Sequence, residues 1–378
     1  MVYNTITGMG KLKFEAYELC PCGSEKKFKF CCYPKAKEDK PKKFDNYSIG
    51  RIQHMMTQYW EDTDFEICMG FEKERCESLI KSAHSIQNNR ILNRISKDGH
   101  VYCMVGKAEK GGFKSEFKKV SKNKASTFFG FCGYHDTEIF KPIELQEYQQ
   151  EPIQSFLFAF RAHALQYHRK QRELKNIQNI FRDFPYLMLE SHFVDRYRTT
   201  CLDVSDYAHD HVIFEEGFSN GNFNNLRTIS RQLDFEVNFA TSSAFAVQYD
   251  LNGKQINNIY FDQNVEKMPS IYVTVYPSEN GTNIILSYHL EDEIIYKEYF
   301  DQLESLSTEK LLEYLNYLIV EYTENVFFNP DFIETLTDKQ KDSMLRSFAS
   351  SIFILEKFDL MNENNYYNFD LFKKKSAV

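Results

Sequence analysis

Tryptophan is nearly absent from this 378-residue chain: one Trp stands against 24 Tyr and 34 Phe. No apolar run approaches the roughly 20 residues of a membrane helix, so no membrane contact is expected. The stretch Met1 to Cys20 has no apolar core followed by a small-residue cleavage site, so it does not read as a secretory leader. A phosphate-cradling Gly loop is missing, and so is a Gly-x-Ser-x-Gly elbow, which argues against P-loop and α/β-hydrolase chemistry. No internal repeat is visible. The expected location is cytoplasmic. Thiols stay reduced there, and clustered cysteines bind metal more often than they pair.

What the chain does have is apolar content: 42% hydrophobic and 16% aromatic residues, enough for a folded protein of two or three domains. Its net charge is -8, unevenly spread. Lysines crowd the segment from Lys26 to Lys43, and a second basic run extends from Lys107 to Lys124. The last hundred residues are acidic. A basic front half suits phosphates, although lysine runs also serve as plain solvated surface.

The patterning predicts an α+β, multidomain chain. A zinc module and basic linker occupy residues 1–44, and a mixed Cys/His region residues 45–150. A helical segment covers 151–230, and an antiparallel β meander with C-terminal helices covers 231–378. Helices are expected over Ile49–Trp60, Glu151–Phe181, Thr308–Glu324 and Thr337–Phe358, with Ser307 as a cap for the third. Pro185 closes the helical region, and a further helix is expected to start there. Strands are expected at Ala244–Tyr249, Ile259–Phe261, Ile271–Tyr276 and Asn283–Tyr288, with an Asn252-Gly253 turn. Lys107 to Lys119 reads as a loop.

Cys20, Cys22, Cys31 and Cys32 lie in CPCGSEKKFKFCC. Four soft ligands in a short segment suit a tetrahedral Zn²⁺. Pro21 and Gly23-Ser24 make the turn, and Phe28 and Phe30 give the small unit something to pack. Metal binding then supplies much of its folding free energy. This stretch resembles the SEC-C motif of the protein-translocation ATPase tail, with Glu25 where Gly is common and Cys32 where that tail has His. The resemblance implies an adaptor module that docks on protein or ribosomal partners.

A second constellation comprises Cys68, Cys76, His84, Cys132, His135 and Asp136. It resembles an HNH-type (ββα-metal) nuclease core or a degenerate treble-clef finger. That resemblance implies a structural zinc held by Cys68, Cys76, Cys132 and His135. It implies His84 as the general base, and Asp136 as a ligand for a catalytic Mg²⁺ or Mn²⁺. The departures are Ala83 where an acidic residue often stands, and Ser126 or Thr127 where the family has Asn. A different quartet, Cys76, His84, Cys132 and His135, would make a closed zinc site without catalysis. The segments AHSIQNNRILNRISKDGHVY, ASTFFGFCGYHDTEIFKPIE and SFLFAFRAHALQYHRK also resemble, in this order, a group of uncharacterised bacterial proteins.

Arg161 and His168 resemble the loosest form of the HEPN ribonuclease signature, seven positions apart on one helix face. His209-Asp210-His211 reads as a surface cluster, and Cys103 and Cys201 as ordinary buried thiols. The leading expectation is a zinc protein that contacts nucleic acid or ribonucleoprotein through its basic front half. Its acidic back half and the SEC-C module would meet protein. The alternative is an HNH-type metal-dependent nuclease, which the company of SEC-C and nuclease modules would place in defence against foreign DNA.

Overall fold

A computed structural model describes residues 13–38, 49–63, 65–78, 80–109, 112–257, 267–352 and 369–374. Along these the elements run α1 (Tyr33–Glu38), α2 (Ile49–Asp62), β1 (Ile80–His84), α3 (Asn93–Ile95), β2 (His100–Glu109), β3 (Gly112–Ser121), β4 (Thr127–Cys132), α4 (Gly133–Glu138), α5 (Lys141–Glu144), α6 (Pro152–Asp183) and α7 (Ser191–Ser219). Then follow β5 (Leu226–Leu233), β6 (Phe239–Phe245), β7 (Ile271–Ser278), β8 (Gly281–His289), α8 (Glu293–Ser305), α9 (Thr308–Tyr322), β9 (Val326–Phe328), α10 (Pro330–Thr335) and α11 (Asp338–Ile352). The class is α+β, as the patterning predicts.

Of the described residues, those in Met1–Glu66, Tyr167–His211 and Asn258–Met268 form one compact unit. Those in Ile67–Gln166, Val212–Asn257 and Pro269–Val378 form a second. Helices α6 and α7 each contribute to both.

In the first unit the Cys20–Cys32 segment packs on the second half of α6 and the start of α7. Phe14 is the centre of this contact. Its ring meets Phe28, Phe181 and Tyr197 edge to face at centroid distances of 5.8, 6.0 and 5.5 Å, a favoured aromatic geometry. Arg198 Nη2 donates to the Lys13 carbonyl at 3.0 Å and pairs with Glu18 at 3.1 Å. Helix α2 is tied to α6 by polar contacts: Tyr59 donates to Asp183 at 2.5 Å, and Arg172 lies 4.4 Å from the Trp60 ring.

The second unit is built on a seven-stranded antiparallel sheet in the order β3-β2-β9-β6-β7-β8-β5. Strands β7 and β8 are buried along their whole length. Both of their faces are covered, which explains apolar residues at consecutive positions such as Ile284, Ile285 and Leu286. Tyr296, Tyr299, Phe300 and Leu303 of α8 and Leu311, Leu315, Leu318 and Ile319 of α9 join the sheet's apolar residues in one core cluster. The hairpin β7–β8 turns tightly into Gly281, whose φ is +119°. A Cβ there would fall 1.9 Å from the Leu233 carbonyl oxygen, so only glycine fits.

Two expectations change. The described residues of the Gly/Lys-rich stretch are not a loop: they belong to strands β2 and β3, paired from His100↔Ser121 to Glu109↔Gly112. Strand β3 is a sheet edge, and Lys114, Lys118 and Lys119 are exposed on it. Lysines in that position discourage pairing with another chain, so part of the second basic run has a structural use. The strand expected at Ala244–Tyr249 lies earlier, at β6, because Asp250 closes a turn by accepting from the Asn252 and Lys254 amides. Ile259–Phe261 and the end of the last predicted helix lie outside the described residues.

Candidate metal centres

The first centre follows from a short reversal of the chain. The Cys20 amide donates to the Lys26 carbonyl at 2.7 Å, and the Gly23 amide to the Cys20 carbonyl at 3.1 Å. Gly23 has φ +75°, the left-handed conformation that glycine adopts without strain. A one-turn helix over Phe28–Phe30 then brings Cys31 and Cys32 back. The four sulfurs of Cys20, Cys22, Cys31 and Cys32 all lie within 4.8 Å of one another. Cys22 to Cys31 is 3.6 Å and Cys31 to Cys32 is 3.8 Å. A tetrahedron with Zn–S bonds of about 2.3 Å has edges of about 3.8 Å. No disulfide is present among these thiols, and the donor set fits zinc.

Their proton affinities diverge. Burial pushes the Cys20 thiol up to about 11 and raises Cys32 further. Burial opposes ionisation of Cys22 too, but hydrogen bonds from the Ser24 hydroxyl and the Cys20 and Cys31 thiols outweigh it and bring Cys22 down to about 7. Among Cys20, Cys22 and Cys32, Cys22 is the readiest to ionise.

The second centre sits on a ββα unit. Strands β1 and β4 pair antiparallel, from Ile80↔Cys132 to His84↔Thr127, and α4 follows at once. The loop carrying Cys68 runs beside β4: Ile67 N donates to Phe129 O, and Met69 N to Gly130 O at 2.7 Å. Cys76 follows a single turn at Lys73–Arg75. Cys132 ends β4 and precedes α4, and His135 lies in α4. The ligand atoms of Cys68, Cys76, Cys132 and His135 all lie within 4.8 Å of one another. His135 Nδ1 is 3.2 Å from both the Cys68 and the Cys132 sulfur.

Gly70 makes this approach possible, because a Cβ there would fall 2.3 Å from His135 Cγ. The Cys132 amide donates to the Cys68 sulfur at 3.3 Å. Burial pushes Cys76 up to about 12, with the Cys68 and Cys132 thiols adding to it. Burial works against Cys132 as well, yet amides of His135 and Glu77 lower it. Burial lowers His135, which keeps its imidazole neutral and able to ligate.

His84 stands outside this quartet. In the alternative set His84 would replace Cys68, but it is Cys68 that lies with Cys76, Cys132 and His135. His84 Nδ1 lies 3.0 Å from the Ala125 carbonyl and 3.3 Å from Ser126 Oγ. Burial lowers its proton affinity; the Ala125 carbonyl and Glu144 raise it, and Arg161 and Lys122 lower it. Asp136 follows His135 on α4. Burial raises its carboxyl, with Arg161, Glu144 and Lys81 as its charged neighbours. His84 and Asp136 thus share an electrostatic setting with Glu144, which no motif marked, and with Arg161, which the sequence singled out only for its spacing from His168. Arg161 is only 3% exposed, lies 4.0 Å from the Phe140 ring and pairs with Glu144 at 2.5 Å.

The remaining candidates are engaged internally. His168 is buried, with Nε2 3.0 Å from the Phe65 carbonyl. With Arg161 also buried, the Arg–His pattern of α6 is accounted for by packing. Asp210 is buried and pairs with Lys267 at 2.7 Å. Cys103 and Cys201 are half-buried.

A family model for the SEC-C motif matches residues 18–34. No curated protein and no solved structure matches the chain. Among the described residues no helix is long and apolar enough to cross a membrane. The motif and the two Cys/His quartets support a zinc-binding protein.

Proposed function

We propose that this protein is a zinc-stabilised, nucleic-acid-directed hydrolase, in which the second quartet props a ββα unit and His84 serves as general base on a phosphodiester. The setting of His84 carries this reading. A carbonyl only accepts, so the neutral imidazole keeps its proton on Nδ1, against Ala125. Nε2 is left with the lone pair. Burial lowers the proton affinity of the ring, the direction that favours a base able to activate water. The Asp136 carboxylate suits a hard divalent cation such as Mg²⁺ or Mn²⁺. Such an ion, when bound, supplies charge stabilisation at the phosphate. Arg161 holds Glu144 beside this group. The HNH resemblance supports the same roles, whereas buried Ala83 leaves the position before the base without a ligand.

The test is His84→Ala in zinc-loaded protein, against labelled single-stranded and duplex oligonucleotides with Mg²⁺ or Mn²⁺. Cleavage should fall by about 10²-fold or more with both zinc ions retained. Cleavage at the wild-type rate would overturn the reading.

A second reading keeps the nucleic-acid partner without the chemistry: a binding protein whose basic N-terminal half meets nucleic acid or nucleoprotein. What favours it is the pairing of lysines with exposed rings on the SEC-C module.

A further inference from the structure

The SEC-C module leaves large apolar side chains in solvent. Tyr17 is 59% exposed, Leu19 67% and Phe30 69%. So small a unit has few apolar residues, and it buries Phe14 and Phe28. The Tyr17 and Phe30 rings lie 6.3 Å apart at 71°. Lysines surround them. Lys29 Nζ is 5.0 Å from the Tyr17 ring centre and 5.7 Å from that of Phe30, and it donates to the Tyr17 hydroxyl at 3.0 Å. Lys27 Nζ is 5.6 Å from the Tyr17 ring. Of the acidic residues from Phe14 to Cys32, Glu18 is engaged by Arg198, while Glu15 and Glu25 are exposed.

We propose that this face is a stacking platform for single-stranded nucleic acid, with Tyr17 and Phe30 receiving bases and Lys27 and Lys29 the adjoining phosphates. The inference rests on the nucleic-acid reading above and deepens it by naming where a strand is held. Exposed rings beside cations fit unpaired bases on a phosphate backbone, because every base offers a π-face and every linkage a negative charge. A duplex hides its base faces, so it has nothing to stack on these rings. An acidic protein segment would satisfy the lysines and leave the rings unused.

The experiment is fluorescence anisotropy of zinc-loaded full-length protein with a labelled single-stranded oligonucleotide of about 20 thymines. A duplex of equal length and unlabelled poly-glutamate are the competitors. His84→Ala serves as a background that binds without cleaving. Single strand should bind about tenfold or more tighter than duplex. Tyr17→Ala with Phe30→Ala should weaken it roughly 10- to 100-fold without loss of zinc. Lys27→Gln with Lys29→Gln, removing two phosphate contacts at about 0.7 each on a single strand, should reduce the slope of log K against log salt by about 1.4.

Wild-type affinity in the ring variant overturns the platform, since both side chains are exposed and zinc content reports the fold. Equal competition by duplex or poly-glutamate also overturns it, leaving a plain basic face. If the unsubstituted protein binds no nucleic acid at all, the nucleic-acid reading itself falls. That result is distinct from a failure of the rings alone.

Discussion

His135 Nδ1 lies 3.2 Å from Cys132 Sγ, across the junction of β4 and α4. A strand end and a first helical turn thus offer one thiol and one imidazole to a single point. Cys68 and Cys76 reach that point from a separate loop. The protein should therefore carry two zinc ions per chain by elemental analysis. Cys132→Ser should reduce that to one and lower the melting temperature. Two ions retained in that variant would remove the second centre.

Gly70→Ala isolates the same centre without touching a ligand. The added methyl would meet the His135 ring. Overpacking of this kind costs about 1–3 kcal/mol. We expect that loss in denaturant titration, with weaker retention of the second zinc and normal retention of the first. Unchanged stability and zinc binding would mean the loop at Gly70 moves aside freely.

The Arg161–Glu144 pair should respond asymmetrically. Arg161 is buried, whereas the Glu144 side chain is about one-third exposed. Glu144→Gln strands a buried guanidinium, which costs about 3 kcal/mol or more. Arg161→Met keeps apolar contact with Phe140 and leaves a carboxylate that water can solvate, for a cost of about 1 kcal/mol. Urea titration of the two variants checks the order. Equal costs would show that Arg161 is hydrated in solution.

His84 also sets a pH dependence. Its proton affinity is lowered in the folded protein by burial, with Arg161 and Lys122 acting in the same sense and the Ala125 carbonyl and Glu144 against it. The unfolded chain takes up a proton near pH 6.5 that the folded one refuses. Stability therefore falls as pH drops through 6.5 toward the lowered value. His84→Gln removes that increment, so the variant should lose less stability than the wild type between pH 7.5 and 5.5. In a cleavage assay the same shift places the acid limb below the usual histidine range. Parallel stability curves for the two proteins would contradict the lowered value.

Much of this architecture was legible. Helix α9 begins at Ser307, whose hydroxyl accepts from the Lys310 amide as its sequence suggests. Helix α6 covers the whole apolar stripe predicted for it. The Cys20–Cys32 quartet was visible because four thiols in so short a segment have few other reasons to cluster, whereas the second was implied by the HNH resemblance, with His84 in place of Cys68 as the alternative. What escaped was set by tertiary context. Strand β5, Leu226–Leu233, carries two arginines and a glutamine; it is a strand because β8 pairs with it along its length. The β2–β3 hairpin hid behind its lysines, which only an edge position explains. Glu144 has no motif, and it enters the candidate site through Arg161, a residue distant in sequence.

The ββα unit is interrupted. Between β1 and β4 the chain leaves to form β2 and β3, which belong to the large sheet. A cation shared by Cys76 and Cys132 therefore fastens the neck of an excursion that has already been woven into another structure. Ring closure over such a span costs entropy that grows only with the logarithm of its length, so one ion can secure a long detour. The order of events matters accordingly. Metal captured before the hairpin finds its sheet would tie an empty noose, and metal captured afterwards locks the strands in place.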